Sequence, residues 1–307
     1  MKTKVYCPDI ECESCIKVIT KALQKIQGVE HFEFKHNAVE VTHDEQVKAS
    51  DLIGAIQQKG YRASLDEFHR MTFSERFKDF RKNHQKYAVE RTMLKNTILA
   101  IVILLALDAF AYFSFLKAIP DFWTKYGWWM LYVDVTVVSI GAAIWHIKSY
   151  KANVTSMIGM MIGMTFGMQT GMMLGTIIAA TNGLFVGGLS GMLIAVAVGF
   201  YNGKCCGIMG VMEGMMAGVM GGIMGSMIGT MFSVDHILWF MPAFTVINLF
   251  ILWGLSYMLF EEVVEHNVMT KKQPIDSATF FFACFLVSIA LTALVVYGPR
   301  TGLAAIG

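Results

Sequence analysis

Residues 159–175 read GMMIGMTFGMQTGMMLG, so a Gly-Met pair begins at every fourth position from Gly159 to Gly171. A second run follows further along the chain, and its glycines are Gly210, Gly214, Gly218 and Gly222. Residues four apart advance about 40° around an α-helix beyond one full turn, so each set forms a ridge along the helix. We therefore predict two membrane helices whose glycine ridges let a neighbouring backbone approach closely.

A methionine ridge accompanies each glycine ridge. Four methionines spaced by four residues extend over about 18 Å of helix axis, within an apolar layer about 30 Å thick. Thioether sulfur is a soft, neutral ligand that suits Cu(I) or Ag(I) and binds Zn(II) poorly. The predicted ligands are Met160, Met164, Met168 and Met172 in the first run and Met212, Met216, Met220 and Met224 in the second. The alternative is packing, because methionine also fills irregular apolar gaps.

The composition is that of a polytopic membrane protein with a polar N-terminal head. Of the 307 residues, 55% are hydrophobic and 16% are charged, and the mean hydropathy is +0.52. Soluble domains have about a quarter of their residues charged. Most charged residues precede Lys95, which predicts a head at 1–65, a linker at 66–94 and a membrane domain at 95–307 with a Gly/Met-rich core at 156–232. The net charge of +2 gives no reason to expect nucleic acid as a partner.

Seven spans are predicted, each near the length that a lipid bilayer requires. They are residues 95–116, 127–147, 156–180, 183–200, 206–231, 237–260 and 277–297. Basic residues concentrate on the linker side of these spans. The positive-inside rule therefore predicts a cytosolic N-terminus and an external C-terminus, and we expect the plasma membrane as the location. The linker itself is predicted to be a basic amphipathic helix at the membrane surface.

The head alternates predicted strands and helices in the order βαββαβ, with its last strand at residues 61–65. The predicted fold class is thus an α+β ferredoxin-like domain followed by an all-α transmembrane bundle of about seven helices. Cys12 and Cys15 form a Cys-x-x-Cys pair in the loop before the first helix. Thiolates at a helix start are stabilised by the helix dipole, and two sulfurs can hold Cu(I) or supply half of a Zn(II) site. The alternative is a redox pair, and Cys7, on a strand, is expected in the core.

The head resembles the heavy-metal-associated domain of metallochaperones and metal-pumping ATPases, through its Cys-x-x-Cys loop and the pairs at 28–29 and 60–61. The resemblance implies metal binding by Cys12 and Cys15, with a cytosolic metallochaperone as a candidate partner. Glu11 stands where copper-carrying members often have threonine, and Ile10 where the family usually has methionine. A carboxylate at the place of Glu11 resembles members that take Zn, Cd or Pb. Zn(II) or another soft divalent metal therefore stays an alternative to Cu(I).

Further candidate ligands lie in the membrane domain. Cys205 and Cys206 follow Lys204 at the predicted cytosolic mouth of the fifth span, where they would exchange metal with the head. Such a pair resembles bacterial mercury-uptake membrane proteins, and the Met-x-x-x-Met spacing is similar to that of eukaryotic copper transporters. The alternative is that both cysteines are simply small residues at a helix start. Glu213 lies inside the second methionine run and is predicted to take part in metal handling, since intramembrane acids are costly.

Asp108 and Asp134 lie at similar predicted depth in the first two spans. They are predicted to form an outer site for a cation or a proton, and the alternative is a hydrogen bond to a neighbouring helix. Both residues are acidic side chains inside apolar segments, so either interpretation requires a polar partner.

The sequence lacks the Asp-Lys-Thr-Gly-Thr phosphorylation motif, a Cys-Pro-Cys span and a phosphate-binding P-loop. We therefore expect no metal-pumping ATPase and no enzyme. The favoured hypothesis is a transporter or channel for a soft metal, Cu(I) above others, that is passive or coupled to another gradient. A membrane-anchored metallochaperone or sensor without transport, and a transporter for Zn, Cd or Hg, are the alternatives. The glycine ridges also make a homo-oligomer a candidate assembly.

Overall fold

The computed structural model describes residues 1–10, 13–35, 37–68, 72–114, 116–118, 122–151, 154–265, 271–272 and 276–300. These residues form two compact units. The first comprises residues 1–88, 150–155 and 257–273, and the second comprises the rest of the chain.

The N-terminal domain has the predicted α+β, ferredoxin-like fold. Its elements are β1 (Lys2–Tyr6), α1 (Glu13–Leu23), β2 (Val29–Lys35), β3 (Ala38–His43) and α2 (Ala49–Gln57). The strands form an antiparallel sheet in the order β1-β3-β2. The predicted last strand is reduced to one bridge, in which the backbones of Tyr6 and Ser64 exchange hydrogen bonds of 2.8 and 3.1 Å. The backbone pairing with β1 ends there, so residues 61–65 add no full strand.

The core of this domain lies between the sheet and the two helices. In β3, Val39 and Val41 are buried and alternate with the less buried Glu40, which is the two-residue period of a strand with one inner face. Helix α1 contributes Ile19 and Leu23, four residues apart and therefore on one side of the helix. This packing fixes α1, whose first turn contains Cys15.

The helical part of the linker is α3 (Phe73–Lys82). Asp79, in the last turn of α3, accepts hydrogen bonds from two residues beyond the end of the helix. They come from Lys86 Nζ and from the Tyr87 hydroxyl, both at 3.1 Å. The bond from Lys86, more than that from Tyr87, holds the pKa of Asp79 below its usual range. The linker is therefore a short helix followed by a turn organised around Asp79, and its placement at a membrane surface stays a prediction.

Arg76 joins α3 to the segment at residues 257–265. Its guanidinium donates to Glu265 at 2.7 Å and lies 4.8 Å from the centre of the Tyr257 ring. Lys86 also donates to Glu265, at 2.8 Å. The side chains of Arg76 and Glu265 are 7% and 6% exposed, so neither charge is left to water. Glu265 thus accepts from two cations, and removing this carboxylate would leave Arg76, among the described residues, with only the more distant Glu261, at 3.9 Å.

Seven of the described helices are long and apolar enough to cross a membrane, as predicted. They are α4 (Ala88–Ser114), α5 (Phe122–Lys148), α6 (Ser156–Asn182), α7 (Leu184–Gly203), α8 (Gly207–Phe232), α9 (Ile237–Leu259, continued by a π-helical turn at Phe260–Val264) and α10 (Ser277–Tyr297). Helix α4 begins seven residues before the predicted span, because backbone hydrogen bonding continues through the charged residues that end the apolar stretch. The chain is thus built as an integral membrane protein with a small N-terminal α+β domain.

A single residue, Gly183, joins α6 to α7. Its φ of +98° lies in the left-handed region that glycine adopts without strain. The end of α6 is held by Asn182, whose side-chain nitrogen donates to the carbonyl of Leu294 at 3.1 Å. The side chain of Asn182 in turn accepts from the Thr181 hydroxyl at 2.7 Å. These bonds fix the tight joint and set α7 beside α6.

Helices α6, α7 and α8 approach one another through glycine. A Cβ added to Gly163 of α6 would lie 2.6 Å from the carbonyl oxygen of Gly210 of α8. A Cβ added to Gly218 of α8 would lie 2.6 Å from the backbone nitrogen of Val196 of α7. These distances are too short for any side chain, so backbone meets backbone throughout the centre of the three helices.

Candidate metal sites

The predicted thiolate pair belongs to the N-terminal end of α1. Cys15 lies in the first turn of this 11-residue helix and is half-buried. Cys12 and Glu11 lie outside the described residues. A thiol at the start of a helix is a common position for a metal ligand. Of the two predicted head ligands, the structure therefore describes Cys15, at the start of α1, and its role in metal binding stays a prediction.

An ion pair fixes the chain three residues ahead of the predicted metal loop. The carboxylate of Asp9 accepts from the backbone nitrogen of Arg62 at 2.8 Å, from its Nε at 2.9 Å and from its Nη2 at 2.5 Å. Burial opposes the charge of Arg62, but the bonds to Asp9 outweigh this and raise the pKa of Arg62. The two residues are 53 positions apart, and no local pattern in the sequence indicated that they pair.

Cys7 lies in the core of the head, as expected. Its side chain is 0% exposed, and burial together with the nearby Asp9 carboxylate raises the pKa of the thiol to about 12. Metals bind the thiolate form, which Cys7 does not reach at physiological pH. Among the sulfurs of the head, Cys7 is therefore structural.

The structure separates the predicted methionine ligands by exposure. In α6, Met164 is exposed, whereas Met160, Met168 and Met172 are half-buried. In α8, the four predicted ligands are exposed by 43–57%, namely Met212, Met216, Met220 and Met224. The methionine ridge of α8 thus lies on the outer side of the helix, away from the glycines that contact α6 and α7. Within one chain, the methionine ridges of α6 and α8 do not face each other across an open route. Metal binding by these methionines stays a prediction.

Exposed methionine is confined to two of the membrane helices, as far as the chain is described. Helix α8 has eight such residues and α6 has three. They are Met209, Met212, Met215, Met216, Met220, Met224, Met227 and Met231 on α8, and Met157, Met161 and Met164 on α6. The large exposed side chains of the other membrane helices are Leu, Ile, Val, Phe, Trp and Tyr. We refer below to the eight exposed methionines of α8 as the methionine face.

Two further predicted groups lie on or next to α8. Glu213 is half-buried and follows Met212 directly, so its carboxylate lies at the border of the methionine face. Cys205 is exposed in the short 3-10 turn Lys204–Cys206 that leads into α8. The side chain of Cys206 lies outside the described part of the chain. The backbone of the cysteine pair thus directly precedes α8, and its role as a metal-exchanging mouth stays a prediction.

The two acids of the first membrane helices lie close to each other, and their predicted role as a cation or proton site stays a prediction. Asp134 of α5 is 0% exposed, and its Oδ1 accepts a hydrogen bond from the hydroxyl of Ser288 of α10. Asp108 of α4 is half-buried, and its carboxyl group lies within hydrogen-bonding range of that of Asp134. Ser288 is 154 residues from Asp134 and was not singled out in the sequence. A serine in an apolar helix gives no signal of its partner.

Larger clusters of hard or borderline ligands are absent from the described residues: no group of three or more His, Cys, Asp or Glu side chains is placed to hold a metal ion. The predicted sulfur ligands include the cysteine pair of the head and the thioethers of α6 and α8. Both sets consist of soft sulfur ligands, which favour ions such as Cu(I) and Ag(I).

Comparison with known families identifies the head. Residues 4–62 match the family model of the heavy-metal-associated domain, which confirms the resemblance seen in the sequence. The chain therefore carries a heavy-metal-binding domain, followed by seven apolar helices. Neither curated proteins nor solved structures gave a match to the chain.

Proposed function

We propose that this membrane protein with a heavy-metal-associated domain moves a soft metal ion, with Cu(I) as its substrate, across the membrane. The head takes up or hands over the ion, and the methionine face carries it through the apolar layer. The observation that supports this most is the methionine face itself. Every methionine of α8 is exposed, whereas α4, α5, α7, α9 and α10 expose none within the described residues.

The head suits transfer of metal as well as capture. Cys12 and Cys15 supply two thiolates, which leave a bound Cu(I) open to a third ligand. An incoming thiol can therefore take over the ion by ligand exchange. Cys205 and Cys206, or a cytosolic metallochaperone, would supply such thiols. Cys7 takes no part, because its thiol stays protonated in the core.

The methionine face suits movement of the ion through lipid. Thioethers are neutral, so eight of them lie in an apolar layer without the cost of charged ligands. They are soft ligands for Cu(I), and their repetition along one helix offers successive weak sites. Weak, repeated binding lets an ion enter and also leave.

The close contact of α6, α7 and α8 directs this path to the outside of the three helices. A single outer face opens to lipid, so we propose that two or more copies of the chain turn their methionine faces toward one another. Glu213 supports such an assembly, because a carboxylate at the border of this face is costly against lipid and less so against protein. In the assembly its charge would attract the cation.

The test is flux of Ag(I) or Cu(I) into sealed vesicles that contain the full-length protein. We expect that changing Met212, Met216, Met220 and Met224 together to leucine reduces the flux to the level of empty vesicles. Leucine preserves the apolar volume, so the variant should keep its thermal stability. Met93→Leu with Met258→Leu, on α4 and α9, is the matched control and should transport like the unaltered protein. Normal flux in the fourfold variant would refute the path.

The position of the methionine face also favours a second function, that of a membrane-anchored metallochaperone or sensor. If the face contacts lipid in a monomer, the ion has no enclosed route and the head alone handles metal. The unaltered protein would then bind Cu(I) but show no flux in vesicles. Its molecular mass in detergent would be that of one chain.

Glu11 keeps a divalent metal in competition with Cu(I). A carboxylate next to Cys12 would supply a harder ligand, which suits Zn(II) better than Cu(I). Offering Cu(I) and Zn(II) together to the full-length protein and to Glu11→Thr would decide this. Preference for Zn(II) in the unaltered protein, reversed by Glu11→Thr, would make it a transporter or binder of divalent metal.

A further inference from the structure

The carboxyl pair of Asp108 and Asp134 has chemistry that soft-metal transport does not use. Its oxygens are hard ligands, which Cu(I) disfavours. Asp134 is 0% exposed, and Ser288 donates to one of its two oxygens, Oδ1. The other oxygen, Oδ2, has no hydrogen-bond donor among the described residues. A buried carboxylate oxygen without a donor is costly, so one donor is missing from this site.

Asp108 can complete the site if the two carboxyl groups share a proton. The groups lie within hydrogen-bonding range of each other. Two carboxylates in contact repel strongly in a medium of low dielectric constant, and both cannot carry charge at little cost. One proton between them removes the repulsion and supplies the missing donor at once. One shared proton therefore both gives Asp134 Oδ2 a hydrogen-bond donor and removes one of the two negative charges.

The surrounding helices place no cationic side chain at mid-helix that could neutralise the two carboxylates. Helices α6, α9 and α10 contain no Asp, Glu, Lys, Arg or His between their ends. The charged residues of α4 and α5 other than the pair lie near helix ends, namely Glu90, Arg91, Lys95, Lys125, His146 and Lys148. On α4, α5 and α10, the titratable groups nearest in sequence to Asp108, Asp134 and Ser288 are Tyr112, Tyr132 and Cys284. All three are neutral at physiological pH.

A cavity opens beside Asp108, near the N-terminal end of α5. It has a volume of about 240 Å³ and is lined by Asp108 together with Trp123, Gly127 and Trp128. Both tryptophans are exposed, as in the aromatic belts where membrane helices meet water. A space of this volume has room for several water molecules, each of which takes about 30 Å³. Water in this space would bring protons to Asp108, whereas Asp134 does not line the cavity.

We propose that Asp108 and Asp134 form a proton-binding site that exchanges with water through this cavity. In the loaded state, one carboxylic acid donates its O–H to the other carboxylate. Release of that proton to the cavity leaves two carboxylates, and uptake restores the shared state. The site is argued from its own geometry and is independent of the proposed metal path. It would give this protein the means to respond to, or to be driven by, a proton gradient.

The experiment is infrared spectroscopy of the full-length protein in lipid vesicles without metal. We expect a carbonyl stretching band of a protonated carboxylic acid near neutral pH. The band should disappear in the double variant Asp108→Asn, Asp134→Asn. In Asp108→Asn alone the proton is no longer shared with a second carboxylate, so the band should shift in frequency, and an unshifted band would contradict the sharing. Glu213→Gln, which removes the third intramembrane acid, should leave the band unchanged.

Two results would overturn the proposal. One is the absence of the band from the unaltered protein, or its persistence in the double variant. The other is loss of the band on addition of Na⁺ or Mg²⁺, which would make the pair a cation site. Asp108→Asn, at the half-exposed end of the pair, keeps the experiment decisive if the double variant does not fold. The readout needs no metal, so failure of the transport proposal would not affect it.

Discussion

Helices α4 and α8 both expose large side chains along most of their length, yet these side chains are of different types. The exposed side of α4 consists of leucine, isoleucine, valine and phenylalanine, and α4 contains no glycine. The exposed side of α8 carries eight methionines, and α8 contains eight glycines. Aliphatic residues cover the outer side of α4, so exposure to lipid by itself does not account for the sulfur of α8. What methionine adds is a soft ligand.

The inner sides of the two helices differ as well. Helix α4 is held through small contacts, including buried Ala100 and Leu104 and a hydrogen bond of 2.9 Å from Asn96 to Ser277 of α10. Helix α8 is held by backbone contact with α6 and α7 along its glycines. The comparison suggests that α8 is a rigid support for its methionine face, whereas α4 is a covering helix.

The largest expected effect separates metal bound by the head from metal bound by α8. Cys15→Ala should abolish the head site, because a single thiolate cannot hold Cu(I) against exchange. Metal that still copurifies should then be lost when the four predicted ligands of α8 are changed to leucine. Cys7→Ala is the control and should keep both sites. Burial raises the pKa of the Cys7 thiol to about 12, so this thiol is protonated and binds no metal at physiological pH. Metal content per chain after gel filtration measures this, and a metal-free Cys15→Ala protein would contradict a site on α8.

The next effect tests the rigid inner side of α8. In Gly171→Ala of α6, the new Cβ would lie 2.6 Å from the backbone carbonyl carbon of Gly221. Overpacking of this kind costs about 1–3 kcal/mol of unfolding free energy. Gly254→Ala, on α9, meets nothing within 4 Å and should stabilise its helix by up to about 1 kcal/mol. Unfolding in mixed micelles should give opposite signs for the two variants, and equal values would refute the backbone contact.

A smaller effect tests how α4 is held. Asn96→Ala removes the hydrogen bond to Ser277, and interhelical bonds in membranes contribute about 0.6 kcal/mol on average. We expect a loss of about that size, with flux of metal unchanged. Ser277→Ala should give a similar loss, and the double variant should cost little more than either alone. Additive losses from the two substitutions would show that the bond is not made.

The smallest effect tests whether exposed methionine is sufficient. Leu99, Ile103 and Leu107 lie four apart on the exposed side of α4. Changing all three to methionine reproduces the spacing of α8 on a helix without glycine. We expect no additional bound Ag(I) and a change in stability within about 0.5 kcal/mol for each residue, as for most surface substitutions. Additional Ag(I) on this variant would show that spacing alone makes the site.

Much of the fold follows from local patterns in the sequence. Helix α10 occupies the predicted residues 277–297, since the hydropathy of an isolated apolar stretch fixes its ends. The ferredoxin-like head was identified by the spacing of its cysteines and glycines, and its family match confirms this. The last strand of the head was predicted too long, because its pairing depends on β1, nearly sixty residues away.

The arrangement of the candidate sites could be predicted only in part. A period of four places the glycines and methionines of α8 on ridges, but it does not say which ridge faces α6 and α7. That choice depends on how closely the backbones can approach, which the glycines decide. The pairs Asp9–Arg62 and Asp134–Ser288 join residues far apart in the chain, so no local pattern reveals them.

The backbone contacts around Gly163, Gly167 and Gly171 have a consequence for how this gene can vary. Every codon change that replaces one of these glycines adds at least a Cβ, and none of them has space for one. A complete mutational scan should therefore show a stripe of near-total intolerance winding along α6 and α8. Beside it, the methionine face should accept most apolar residues when selection is for folding alone. Intolerance should spread onto that face when cells are grown under metal stress.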